Sequence, residues 1–246
     1  MRGAWIAAGL LLSSQVAEAD QIRVAVASNF SSAVKALAAA FETQSEHEVK
    51  LVAGSTGKHF TQIKHGAPFE VFLAADADHP RRLENEALAV PDTRFTYAVG
   101  RLALWSPRDG LVDGEGQILK SADFRYLAIA NPDLAPYGRA AEEVLASLGL
   151  WQDLQRRMVR GENIGQTFQF VVTGNAELGF VALSQVAAVA TTISPGSLWR
   201  VPQNLYDPIE QQAVLLRDTD AARAFLAFVR SEEARSIIRD HGYQTP

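Results

Sequence analysis

The chain has 246 residues, 48% of them hydrophobic, so it can bury a sizeable core in one large domain or two smaller ones. Its formal net charge of −5 excludes the basic surface of a nucleic-acid binder and leaves no long-range field to gather anions, so any anion site must be local. There is no cysteine, so no disulfide supports the fold and no thiol can carry a lipid anchor.

In chain order, the N-terminus reads as a secretory signal. Arg2 supplies the positive region, "AWIAAGLLL" the apolar region and "AEA" at 17–19 a small-x-small cleavage site. The apolar run is too short to span a bilayer comfortably. Residues 1–19 are therefore expected to be a signal peptide cleaved near Ala19, with the mature chain starting at Asp20 in the bacterial periplasm.

"QIRVAVA" (21–27) is a continuous apolar strand pattern, followed by "SNFSS" and a helical stripe at Val34, Leu37 and Phe41. "VKLVAG" (49–54) is a second strand, and a helix through Phe60 and Ile63 stops near Gly66. "FEVFLAA" (69–75) is a third strand. Apolar strands alternating with helices predict a parallel sheet covered on both faces. The pattern then recurs: strands at 101–106 and 126–131, a helix over 138–151, a shorter helix in "QTFQFVVTG", strands at 176–183 and 210–217, and one long final helix from "DAARAFLAF" to "RDHG". The segment 96–101 and the stretch around 184–207 are the expected crossings between two lobes. One lobe is expected to comprise 20–98 with 187–246, the other 99–186.

"GSTGKH" (54–59) looks like a phosphate loop and fails the test. With Gly57-Lys58 aligned, the first glycine falls on Val52 and the closing hydroxyl on His59, so no metal-bound triphosphate is expected. What remains is a hydroxyl-rich turn between a strand end and a helix start. Unpaired N–H groups and a partial positive charge gather there. Taken alone, Ser55 or Thr56 reads better as a plain helix cap, since hydroxyl caps are common. The arrangement recurs, however: Ser28 and Asn29 follow the first strand, Tyr137 and Gly138 open the helix after "NPDLAP", and in "GENIGQT" Asn163 caps a helix with the Ile164 amide free. Four such turns converging would form a cage of neutral donors able to hold a desolvated dianion. A protonated ligand would bring its own O–H and leave a buried donor unpaired.

Together, "VAVASNFSSAVKALAAAFE", "GSTGKHFTQIKHGAPFEVFLAADADHP", "IANPDLAPYGRAAEEVL", "GENIGQTFQFV" and "PIEQQAVLL" resemble the periplasmic molybdate-binding proteins of molybdate ABC importers, in order over essentially the whole mature chain. The resemblance implies the α/β, two-lobe type II periplasmic binding protein fold. Each lobe would be a mostly parallel sheet flanked by helices, and two crossing strands would join the lobes. It implies an oxyanion site of Ser28, Asn29, Ser55, Thr56, Tyr137 and the backbone N–H of Ile164. It further implies molybdate or tungstate as ligand, no cofactor, no bare metal cation, no catalysis, a membrane permease as partner and a monomeric receptor. Some members place a ligand-binding tyrosine after the strand matching "LGFVAL". The position here is Ala182, so that contact is expected to be absent, with Tyr137 or Asn29 supplying the donor.

The rival readings are weaker. The five histidines, His47, His59, His65, His79 and His241, show no H-x-x-x-H spacing, and His59 and His65 read as solvated. Ser28 and Ser55 lie in no G-x-S-x-G elbow, which argues against a secreted hydrolase. Phosphate needs an acceptor for its proton, and Glu162 is the one clear acidic candidate for that in the four turns. Arg139, the candidate for an amino-acid carboxylate, reads as helix surface. Sulfate, another tetrahedral dianion, is the strongest rival.

Overall fold

The computed structural model describes residues 21–189 and 196–246, so the expected signal peptide lies outside the described residues. Among the described residues, ten strands form two five-stranded sheets. They are β1 (Gln21–Ala27), β2 (Glu48–Gly54), β3 (Val71–Leu73), β4 (Phe95–Gly100), β5 (Leu102–Ser106), β6 (Leu127–Ala130), β7 (Met158–Gly161), β8 (Leu178–Ala182), β9 (Ser197–Arg200) and β10 (Ile209–Leu215). The helices are α1 (Ser31–Thr43), α2 (Thr56–Lys64), α3 (Asp78–Asn85), α4 (Ile118–Ser121), α5 (Pro136–Ser147), α6 (Trp151–Leu154), α7 (Ile164–Val172), α8 (Leu183–Val189), α9 (Asp220–Val229) and α10 (Glu232–Asp240).

The first sheet runs β2-β1-β3-β10-β4 and the second β7-β6-β8-β5-β9. Each is mixed on the same plan. Three strands are mutually parallel, and the fourth pairs antiparallel with both of its neighbours. The antiparallel pairings belong to the strands that carry the chain between sheets. This is why a run of βα units alone suggests more parallel character than the sheets have.

The continuous apolar run of β1 reflects burial on two sides. Val24 and Val26 meet α1, α9 and α10 on one face, while Ala25 joins Phe60 of α2 and Leu83 of α3 on the other. The second sheet is covered by α5 on one face, through Val144 and Leu145, and by α7 and α8 on the other, through Phe168 and Val186. Gly66 (φ +82) follows the end of α2 and Gly149 (φ +73) follows α5, in the left-handed conformation that terminates helices.

The chain leaves the first sheet between Gly100 and Leu102 and returns over 201–208. The two crossings lie side by side: Val201 N donates to Leu102 O (3.3 Å) and Leu102 N to the Tyr206 hydroxyl (3.1 Å). The return therefore falls later than the boundary expected at 187, because β9 pairs antiparallel with β5 and stays with the second sheet. The long final helix is in fact two. Ser231 turns extended (φ −71, ψ 161), and its side chain accepts from Ala234 N (3.2 Å), capping α10.

Candidate functional site

In each sheet two parallel strands end in register and turn into helices at the cleft. Ala27 pairs with Gly54 in the first sheet, and Ala130 with Gly161 in the second. Ligands in open α/β sheets bind outside such carboxyl ends. Four helical starts follow these strand ends: Ser28, Thr56, Pro136 and Ile164. Their free N–H groups and dipoles point partial positive charge at one place without a cationic side chain.

That place is a small cavity between the lobes, lined by Ser28, Asn29, Ser55, Thr56, Tyr137 and Ile164 together with Ala27, Gly54, Ala75, Ala135, Pro136 and Asn163. None of these residues is charged. All six residues singled out from the sequence thus meet, although they come from four turns spread over 28–164.

The hydroxyls are already oriented. The Ser55 oxygen caps α2 by accepting from Lys58 N (3.3 Å), and the Thr56 oxygen accepts from Ala75 N (3.0 Å). The Ser28 oxygen accepts from Gly165 N across the cleft (3.0 Å). A hydroxyl that accepts still has its own proton to give, so each remains a donor. Capping and anion contact are therefore compatible at Ser55. Asn163 caps α7 through Gln166 N (3.0 Å), leaving Ile164 as its first residue, whose N–H has no acceptor within the helix.

Asn29 is committed elsewhere. Its amide nitrogen donates to Gln211 Oε1 (2.8 Å) and to the Tyr243 hydroxyl (3.1 Å), which uses both protons. Its side chain is thus not the spare donor expected in place of the missing tyrosine. Tyr137 is 1% exposed and its hydroxyl accepts from Gln211 Nε2 (3.4 Å). Burial raises the phenols of Tyr97 and Tyr137 well above the ordinary range and pushes Tyr243 up to about 12, so all three stay neutral donors. Ala182 is buried at the end of β8, outside the lining.

The rim carries the charges. Lys58 pairs with Glu162 (3.4 Å), and Arg139 pairs with Asp76 (3.3 Å), each across the cleft. Arg139 therefore bridges the lobes rather than standing only on helix surface. Gly57 N donates to Leu134 O (2.9 Å), so the two lobes touch backbone to backbone. His59, expected in solvent, is 2% exposed. Its ring sits against Val26 O (3.2 Å) and Gln62 Oε1 (3.1 Å), and burial lowers its pKa. A larger groove of about 560 Å³ lies alongside, but Asp76, Asp78, Glu143 and Asp207 outnumber Arg139 there, an unsuitable field for a dianion. Among the described residues, no group of three His, Asp or Glu side chains is placed to hold a metal ion.

Sequence reasoning missed the polar residues behind the cavity: Gln211, Tyr97 and Tyr243. Gln211 lies in "PIEQQAVLL", but nothing local distinguishes it from any polar residue on a strand.

Comparison with known proteins places this geometry. The model of the family described as bacterial extracellular solute-binding protein matches residues 22–244. A molybdate-binding protein ModA of Azotobacter vinelandii is 48% identical over 97% of this chain and 95% of its own length. A molybdate-binding protein ModA of Rhodobacter capsulatus is 47% identical over 93% and 90%. The solved periplasmic molybdate-binding protein of Azotobacter vinelandii superposes with a TM-score of 0.87 at 42% identity, over 92% of this chain and 99% of that one.

Proposed function

The chain belongs to the family of bacterial extracellular solute-binding proteins, and on that premise we propose that it is the periplasmic receptor that captures molybdate, or tungstate, and delivers it to the permease of an ABC importer. The observation that carries the reading is the charge-free cavity between the lobes, into which four helical starts and four hydroxyls converge. It is not an enzyme.

Within this reading, the Ser28, Ser55 and Thr56 hydroxyls and the Ile164 N–H donate to the oxyanion. Asn29 contributes its main-chain N–H, because its side-chain protons are committed to Gln211 and Tyr243. The Tyr137 hydroxyl, held by Gln211, supplies the donor that a tyrosine at Ala182 would otherwise give. Each of these donors is neutral, and many share one dianion. Its charge is balanced by partial charges that need no reorganisation when it arrives. Donors come from both sheets, so the site is complete only with the lobes together, and the ligand stabilises that state by binding it better. The chain acts as a monomer, and residues 1–19 serve as the export signal.

A thermal-shift series with molybdate, tungstate, sulfate and phosphate tests the assignment. At a hundred times its dissociation constant a ligand adds about 2.7 kcal/mol of stability. Molybdate and tungstate are expected to shift the melting point at lower concentration than sulfate. A clear shift with sulfate and none with molybdate would make this a sulfate receptor.

A further inference from the structure

Gln211 is completely buried, and it stands on β10, just where the chain has returned from the second lobe. A polar side chain with no exposure is costly unless fully bonded. Its Oε1 accepts from Asn29 Nδ2 (2.8 Å) and from the Tyr97 hydroxyl (3.2 Å), while its Nε2 donates to the Tyr137 hydroxyl (3.4 Å). Asn29 belongs to the first lobe and Tyr137 to the second, so one amide holds a cavity residue from each side.

Two backbone features serve this placement. The pairing of β10 with β4 shifts register between Gln211 and Gln212, which pair with Ala98 and Thr96, so the residue skipped is Tyr97 of β4, whose hydroxyl donates to Gln211 Oε1. Gly100, on the outgoing crossing strand, leaves the room. A Cβ there would lie 2.2 Å from the Tyr137 hydroxyl and 2.8 Å from Gln211 Nε2.

We propose that Gln211 is a positioning residue that anchors the Asn29 side chain and sets the donor direction of Tyr137, and so couples the meeting of the lobes to the polarity of the anion cavity. The inference rests on the receptor reading above. It follows from the amide's asymmetry: only a group with an acceptor toward Asn29 and a donor toward Tyr137 leaves the phenol proton free for an anion. A carboxylate in the same place would take that proton and add negative charge behind the cavity. A carboxylic acid would reproduce the amide.

Gln211→Glu therefore has a pH signature that a purely structural role lacks. The groups facing position 211 are the phenols of Tyr97 and Tyr137, with Tyr243 beyond Asn29 and Asp76 acting on Tyr97, while the rim pairs Lys58–Glu162 and Arg139–Asp76 stand outside the cavity. Calorimetric titration with molybdate from about pH 5 to about pH 8 is expected to give near-constant wild-type affinity. The variant should approach wild type at the acid end and fall roughly tenfold or more below it at the alkaline end. Variant affinity that follows wild type at every pH, or a loss constant across the range, would overturn the proposal. Gly100→Ala is the second reading, since it pushes Tyr137 and Gln211 apart without entering the cavity. Affinity about tenfold weaker while the ligand-free variant still melts cooperatively supports the proposal, and wild-type affinity would overturn it. Failure of the wild-type chain itself to bind molybdate would count against the receptor reading rather than against Gln211.

Discussion

Thr56 has two roles at one atom. Its oxygen accepts from Ala75 N in a buried bond, and its proton remains to be given to a ligand in the cavity that the residue lines. Thr56→Ala removes both, leaving the Ala75 N–H without its partner. We expect molybdate binding to weaken by about 1–3 kcal/mol in a calorimetric titration. Thr56→Ser keeps the hydroxyl and should stay close to wild type, whereas equal losses in the two variants would mean that the methyl and not the hydroxyl matters. His59 supplies a second test at this scale. Burial depresses its pKa in the folded protein below the unfolded value of about 6.5. The unfolded chain then binds more protons between those two values, so stability is fully present above pH 6.5 and is lost as pH falls through that window. A melting-point profile should decline on acidification through that window, and His59→Gln should flatten this part of it. At the residue scale the sequence was informative where chemistry is local. Ser55, Thr56, Asn163 and Ile164 announce themselves at strand-to-helix turns. Gln211 did not, because its bond to Asn29 spans 182 residues.

The helix termini are the working elements. Ser55, Asn163, Thr219 and Ser231 all cap helices through their side chains, but only the first two face the cavity. Ser231 serves the fold alone. Replacing it with alanine should cost about 1 kcal/mol of stability in denaturant unfolding and leave molybdate affinity unchanged. A loss of affinity at constant stability would show that α10 reaches the site by a route the structure does not contain. The same residue explains a misreading. The apolar stripe continues from α9 into α10, so periodicity alone runs the two together, and only the serine followed by Glu232 and Glu233 marks the break. β9 was hidden for a different reason: four residues, "SLWR", are too few to show a period.

Across the whole molecule, the two rim ion pairs invite the idea that charge attraction closes the lobes. Their magnitudes argue against it. Lys58 and Glu162 are both more than half exposed, and such pairs are worth about 0–1 kcal/mol. Glu162→Gln should therefore change the dissociation constant by no more than about threefold, with weak dependence on salt, while the Thr56→Ala loss persists at high salt. A steep salt dependence in wild type would shift the credit from the neutral cage to the rim. Two-lobe organisation was legible from the repeat of the βα pattern. Where the chain returns was not, since the pairing of β9 with β5 is a tertiary fact that places the crossing at 201–208.

The central claim is that a metal oxyanion sits among neutral donors between the lobes. Anomalous diffraction at the molybdenum edge from crystals grown with molybdate tests it directly. The account predicts one strong peak in the cavity, with its oxygens within hydrogen-bonding distance of Ser28, Thr56 and the Ile164 N–H. A peak beside Arg139 in the acid-lined groove, or none between the lobes, would contradict it.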